Sequence, residues 1–204
     1  MTFRDLAREG GSGLEYSRHE SPRETLLDDL KVQGTITFSD IVQAPMKSRG
    51  APGVAILDFD GDGDLDLYVT NGPGHPNSLF SSQLKESGSA VFVDVAEPAG
   101  VAATDQDSAG VCFGDLDNDG DPDLLVLGSD GADLLFENLG AGRFADVTAA
   151  SGLAGDGLVA TSCSMGDVDG DGLLDIAVAN AFVYDNQLPI GAEPFALNHH
   201  NQLW

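Results

Sequence analysis

The chain has 204 residues, 34 acidic against 9 basic, for a formal charge of -25, and 42% of it is hydrophobic. That hydrophobic share suits a packed domain rather than a disordered acidic tail, while the charge disfavours nucleic acid and anionic membrane surfaces as partners and favours cations. No apolar run approaches the ~18–20 residues that cross a bilayer, so no membrane insertion is expected.

The opening, "MTFRDLAREGGSG", lacks the apolar core of a signal peptide. Residues 1–37 read as an N-terminal segment, with a faint Phe3-Arg4-Asp5-Leu6 motif and a short helix expected over 22–32 whose carboxylates are a solvated face. Residues 38–204 read as a repeat array. Its first landmark is Phe38-Ser39-Asp40-Ile41, repeated as Phe92-Val93-Asp94-Val95 and Phe144-Ala145-Asp146-Val147. Its second is acidic: "LDFDGDGDLDLYV" from Leu57, "GDLDNDGDPDLLV" from Gly114 and "GDVDGDGLLDIAV" from Gly166. Its third is Asn77-Ser78-Leu79-Phe80, Asp133-Leu134-Leu135-Phe136 and Asn201-Gln202-Leu203-Trp204. Three landmarks in one order at a period of about 50 residues indicate a repeat architecture.

Each repeat predicts a short strand (Gly53–Leu57, Val111–Phe113, Ser162–Met165), the acidic loop, and a second strand (Leu67–Thr70, Leu124–Leu127, Ile176–Ala179). A third strand is expected at the Leu-aromatic pair and a fourth at the Phe-x-Asp landmark. Four short strands per repeat with glycine-rich turns predict an all-β fold of propeller blades, each a four-stranded antiparallel sheet. About three full repeats and partial ones are present, so the propeller is expected to be incomplete or open, with a β-sandwich or solenoid as the weaker alternative.

The acidic loops, at 58–66, 115–123 and 167–175, hold Asp at positions 1, 3, 5 and 9 in every copy, and Gly63, Gly120 and Gly172 at position 6. Alternate carboxylates on a tightly turning backbone point around one hard cation, and glycine permits the bend. The predicted ligands are Asp58, Asp60, Asp62, Asp64 and Asp66; Asp115, Asp117, Asp119, Asp121 and Asp123; and Asp167, Asp169, Asp171, Leu173 and Asp175. Because leucine stands at position 7 of the third loop, Asp64, Asp121 and Leu173 are expected to act through the backbone carbonyl, and position 9 to close the shell bidentately. All-oxygen ligands favour Ca2+, at three sites, over Mg2+ or zinc. Position 12 is Val69, Val126 and Val178 with no helical flanks, which excludes an EF-hand.

The spacing Asp-x-Asp-x-Asp-Gly-x-x-Asp between two strands resembles the calcium loop of the FG-GAP (VCBS) repeat, the blade of integrin α-subunit propellers. "GVAILDFDGDGDLDLYVTNG", "LLFENLGAGRFADVTAASGLAG" and "MGDVDGDGLLDIAVAN" are closer still to proteins related to cartilage acidic protein 1, which carry these repeats with an ASPIC/UnbV domain. The resemblance implies an extracellular or cell-surface, calcium-stabilised module for adhesion or for binding a protein or glycan, present here as a mature segment. A self-assembling structural subunit, homo-oligomeric through stacked repeats, is the alternative, and a carboxylate- or metal-dependent hydrolase a remote one. No Gly-x-Ser-x-Gly, His-Glu-x-x-His or phosphate loop is present, so no enzyme is expected.

The third repeat carries an insertion, "AFVYDNQLPIGAEPFALNHH", with Phe182, Tyr184, Phe195, His199 and His200. It is either a recognition loop or a structural excursion, and the His pair reads as solvated rather than as a transition-metal site. Cys112 stands three residues before Asp115 and Cys163 four before Asp167, out of phase by one, so their side chains are expected on opposite sheet faces. Two separate buried thiols are therefore preferred over a disulfide.

Overall fold

The computed structural model describes residues 5–18, 29, 32–35, 37, 52–72, 74–129, 132–153, 158–183 and 202–203. The Phe38-Ser39-Asp40-Ile41 landmark, nearly all of the helix expected at 22–32, and Tyr184, Phe195, His199, His200, Asn201 and Trp204 lie outside these residues.

The described strands form three sheets. The first is β1 (Val54–Leu57), β2 (Asp66–Val69), β3 (Ser78–Ser82) and β4 (Phe92–Asp94), in that order. The second repeats the order with β5 (Ser108–Gly114), β6 (Asp123–Gly128), β7 (Leu134–Asn138) and β8 (Phe144–Asp146). The third has β9 (Leu158–Gly166), β10 (Asp175–Val183) and β11 (Gln202–Leu203), with β10 in the middle. Every pairing is antiparallel. This is the up-and-down sheet expected of propeller blades, in an incomplete, propeller-like all-β fold.

The register repeats with the sequence. Leu57 pairs Asp66, Gly114 pairs Asp123 and Gly166 pairs Asp175, so each acidic loop closes on the same rung. The second strand thus starts at the ninth loop position itself. The landmark aspartates have a local task after the fourth strand. The Asp94 carboxylate accepts from the Ala96 and Leu79 amides, and Asp146 accepts from the Thr148 amide and hydroxyl, starting short helical turns at Ala96–Ala99 and Thr148–Ser151.

Strand β6 is buried along its whole length, which explains an apolar run without alternation. Its side chains divide between two cores. Leu124 and Val126 pack with Ala55, Leu57, Tyr68 and Leu79 of the first sheet. Leu125 and Leu127 pack with Ala160, Ile176 and Val178 of the third. The middle sheet is thus covered on both faces, and β5 runs between β1 and β9. Side-chain volume is scarce where these first strands approach: a Cβ on Gly110 would stand 2.9 Å from Leu127 Cδ1 and 3.2 Å from the Thr161 carbonyl.

Cys112 and Cys163 form a disulfide, Cα to Cα 5.8 Å, and this corrects the expectation of two separate thiols. The phase difference is real: Cys112 pairs across to Leu125, whereas Cys163 pairs across to Val178. Stacked sheets, however, meet through opposite faces, the far face of one against the near face of the next. Side chains out of phase on equivalent strands therefore point at one another, and both cysteines belong to the core between the second and third sheets.

The N-terminal segment crosses the first sheet. Phe92 N–H of β4 donates to the Ser12 carbonyl at 2.7 Å, and the Tyr16 hydroxyl donates to the Thr70 carbonyl at 2.7 Å. Arg18 donates to the Ser108 carbonyl at 2.9 Å and pairs with the buried Asp107 carboxylate at 3.3 Å. The segment thereby ties the edge of the first sheet to the start of the second.

Candidate metal centre

The three acidic loops share one hydrogen-bond code. The first aspartate (Asp58, Asp115, Asp167) accepts from the sixth-position glycine amide at 3.0 Å in every copy. The third-position carboxylate accepts from the fifth-position amide, at 3.3, 3.2 and 3.1 Å. The fifth-position carboxylate accepts from the seventh-position amide, at 2.8, 2.9 and 2.8 Å. These consecutive side-chain-to-backbone turns wind the loop and gather its carboxylates.

Two positions need left-handed backbone. Gly63, Gly120 and Gly172 have φ of 87°, 102° and 90° at position 6. Position 4 does as well, with Gly61 at 74°, Asn118 at 61° and Gly170 at 81°. The second requirement was legible as Gly, Asn, Gly, the residues that tolerate this region.

In the first two loops the structure brings positions 1, 3 and 5 together: Asp58, Asp60 and Asp62 each offer an oxygen within 4.8 Å of the others, as do Asp115, Asp117 and Asp119. In the third, Asp167 and Asp169 are joined by Asp175 of position 9 rather than by Asp171. Oxygens on opposite sides of a calcium ion, each at about 2.4 Å, stand about 4.8 Å apart, so each triad has the span of one cation shell. Asp66, Asp121, Asp123, Asp171 and Leu173 fall outside the triads.

Position 9 is tied into the fold. Asp66 Oδ2 accepts from the Phe59 amide at 3.2 Å, Asp123 Oδ2 from Leu116 at 2.9 Å, and Asp175 Oδ2 from Val168 at 2.8 Å. In the first two repeats the other oxygen accepts from the third strand or its end, Ser82 and Asn138, each at 2.8 Å. This residue therefore pins both ends of the loop to the sheet, a task that the expectation of a bidentate ligand did not foresee.

Burial and crowding disfavour the charged carboxylates. Burial pushes Asp66 up to about 6 despite the pull of the Ser82 and Phe59 amides, with Asp60 and Asp64 adding to the rise. Burial also raises Asp60 and Asp123, and neighbouring carboxylates add to each. Two oxygens are stranded: Asp58 Oδ1 and Asp64 Oδ1 are buried with no hydrogen-bond partner. An unpartnered buried carboxylate oxygen is costly, and an all-oxygen set that includes one is the donor chemistry of a hard divalent cation. The residues fit such an ion.

Two residues of the first loop's surroundings escaped the sequence reading. Lys85 donates its amide to Asp64 Oδ2 at 2.9 Å and its ammonium to the Asp62 carbonyl at 3.0 Å. Glu86 offers an oxygen within 4.8 Å of oxygens of Asp62 and Asp64. Both sit on the helical turn Leu84–Ser87 between β3 and β4. The available signal was the length of that connection, "QLKESGSAV", where the second repeat has only "LGAGR".

Residues 115–178 match a family described as the FG-GAP-like repeat. The match runs from the first aspartate of the second loop into β10, about one period of the array. No match was found among curated proteins. Among solved structures, a lectin of Agrocybe aegerita, titled for its specific recognition of non-reducing terminal N-acetylglucosamine, is similar at 20% identity and a TM-score of 0.34, over 61% of this chain and 33% of that chain. Residues 115–178 thus carry an FG-GAP-like repeat, and the loop code of that stretch recurs in the first loop at 58–66.

Proposed function

We propose that the chain is a calcium-binding module of integrin-type β-propeller blades that works outside the cell in adhesion, or in binding a protein or glycan, with Ca2+ rigidifying each blade. The observation that carries this reading is the buried, partnerless Asp58 Oδ1 within a triad whose winding recurs in all three loops. Without a cation the loops gather like charges that repel; with one, the ion joins the two strands of each blade. The role is one of binding, not catalysis, because the clustered carboxylates serve the loops.

An extracellular setting suits two features. The Cys112–Cys163 bond persists in oxidising compartments. Extracellular calcium modules work at about 10⁻⁴–10⁻³ M, a level the cytosol does not reach. A second reading, assembly with further repeats, is favoured by Val54 and Ile56, which are 63% and 54% exposed on the face of β1 turned away from the second sheet.

Calcium titration calorimetry on the full chain tests the reading. Saturable binding that Asp58→Asn and Asp115→Asn each reduce is expected. Absence of calcium heat at millimolar concentrations would return the loops to being turns.

A further inference from the structure

The carboxylates around the first loop fall into two triads, Asp58/Asp60/Asp62 and Asp62/Asp64/Glu86, which share Asp62. The second triad includes a residue from outside the acidic loop, on the turn between β3 and β4, and has no counterpart in the other two loops among the described residues. Asp64 is 5% exposed, and one of its oxygens takes the Lys85 amide. The other, Oδ1, is buried without a partner. At the same position the second loop has a half-buried Asp121 and the third an exposed Leu173, so only the first repeat buries a carboxylate there.

We propose that the first loop holds two divalent cations, the second seated on Asp62, Asp64 and Glu86, with Asp62 bridging the pair. The inference rests on the reading of the loops as calcium sites and adds a seat to it. Charge supports it: Asp58, Asp60, Asp62, Asp64 and Glu86 together carry more negative charge than one divalent ion neutralises. The Lys85 ammonium contacts the Asp62 carbonyl and forms no ion pair with these carboxylates. The geometry supports it too, because the five residues separate into two groups of cation-shell size rather than one. Glu86 is exposed, so the second seat opens to solvent and exchanges its ion more readily than the first.

The test counts bound calcium by equilibrium dialysis of the full chain in wild type, Asp60→Asn, Glu86→Gln and the double variant. Each single variant is expected to lose one ion per chain and the double variant to lose both. If Glu86→Gln keeps the wild-type count, or if the double variant loses no more than either single one, the second seat does not exist. A wild type that binds no calcium overturns the loop reading along with it, whereas calcium binding indifferent to Glu86 overturns only this inference. Manganese electron paramagnetic resonance gives a readout independent of the variants' folding. A spin-coupled Mn2+ pair is expected in wild type and absent in Glu86→Gln, and its absence from wild type contradicts the proposal.

Discussion

The first and third acidic loops wind through the same amide-to-carboxylate bonds, yet they stand in different surroundings. In the first, Asp58, Asp60 and Asp62 are half-buried, Asp64 is buried, and Lys85 and Glu86 reach in from the turn after β3. In the third, Asp167 and Asp169 are exposed, and Leu173, 53% exposed, stands where Asp64 does. The first sheet is tied to the second by the Tyr16 and Arg18 contacts; the third is tied to it by a disulfide. The loop's shape is a local property of its aspartates and glycines. Its burial, and so the strength with which it calls for a cation, comes from neighbouring elements.

The largest expected effect falls on the third sheet. Replacing Cys112 and Cys163 by serine opens a covalent loop with a sequence separation of 51. The chain-entropy model gives about 4 kcal/mol for a loop of that size, less in practice where the reduced state keeps structure. Amide exchange should accelerate in β9 and β10 while β1–β4 hold their protection. Equal loss in the first and third sheets would show that the three unfold as one unit.

Next comes a direct contrast between the loops. At calcium a hundredfold above its dissociation constant, a bound ion stabilises by about 2.7 kcal/mol. Asp58→Asn should forfeit most of that, because this carboxylate sits in a half-buried set and one of its oxygens is buried without a partner. Asp167→Asn should cost less, since water reaches the exposed third loop. Thermal melts of both variants in calcium decide the order, and a larger loss for Asp167→Asn reverses the comparison.

Smaller still is Lys85→Met. It removes a positive charge beside the first loop and should tighten calcium there by less than about tenfold, an effect of ~1 kcal/mol that fades as salt is raised. The smallest is Leu173→Asp. If position 7 contributes its backbone carbonyl, a carboxylate at this exposed site leaves the calcium-bound melting temperature nearly unchanged. A clear rise would make the side chain the ligand.

The strands and loops were legible because both are written in short-range pattern: apolar runs of strand length, then aspartates alternating with glycine. The unreadable parts are tertiary. Cysteine phase was counted correctly, but its meaning depends on how neighbouring sheets face one another, which no single repeat encodes. Glu86 lies in a connection outside every repeated landmark, so aligning the repeats could not nominate it. The anchoring role of Asp66 and Asp123 needs the third strand alongside, as the Ser82 and Asn138 amides show. Asn118 carries the opposite lesson: its left-handed position was written as Gly, Asn, Gly in the three loops.

The central claim, that calcium holds these loops together, is tested most directly by calorimetric melting of the unaltered chain in millimolar calcium and again in excess chelator. The account predicts a melting temperature lower by ten degrees or more in chelator, on the scale of about 2–4 °C per kcal/mol for a chain of this size. Superimposable transitions in the two conditions would contradict it.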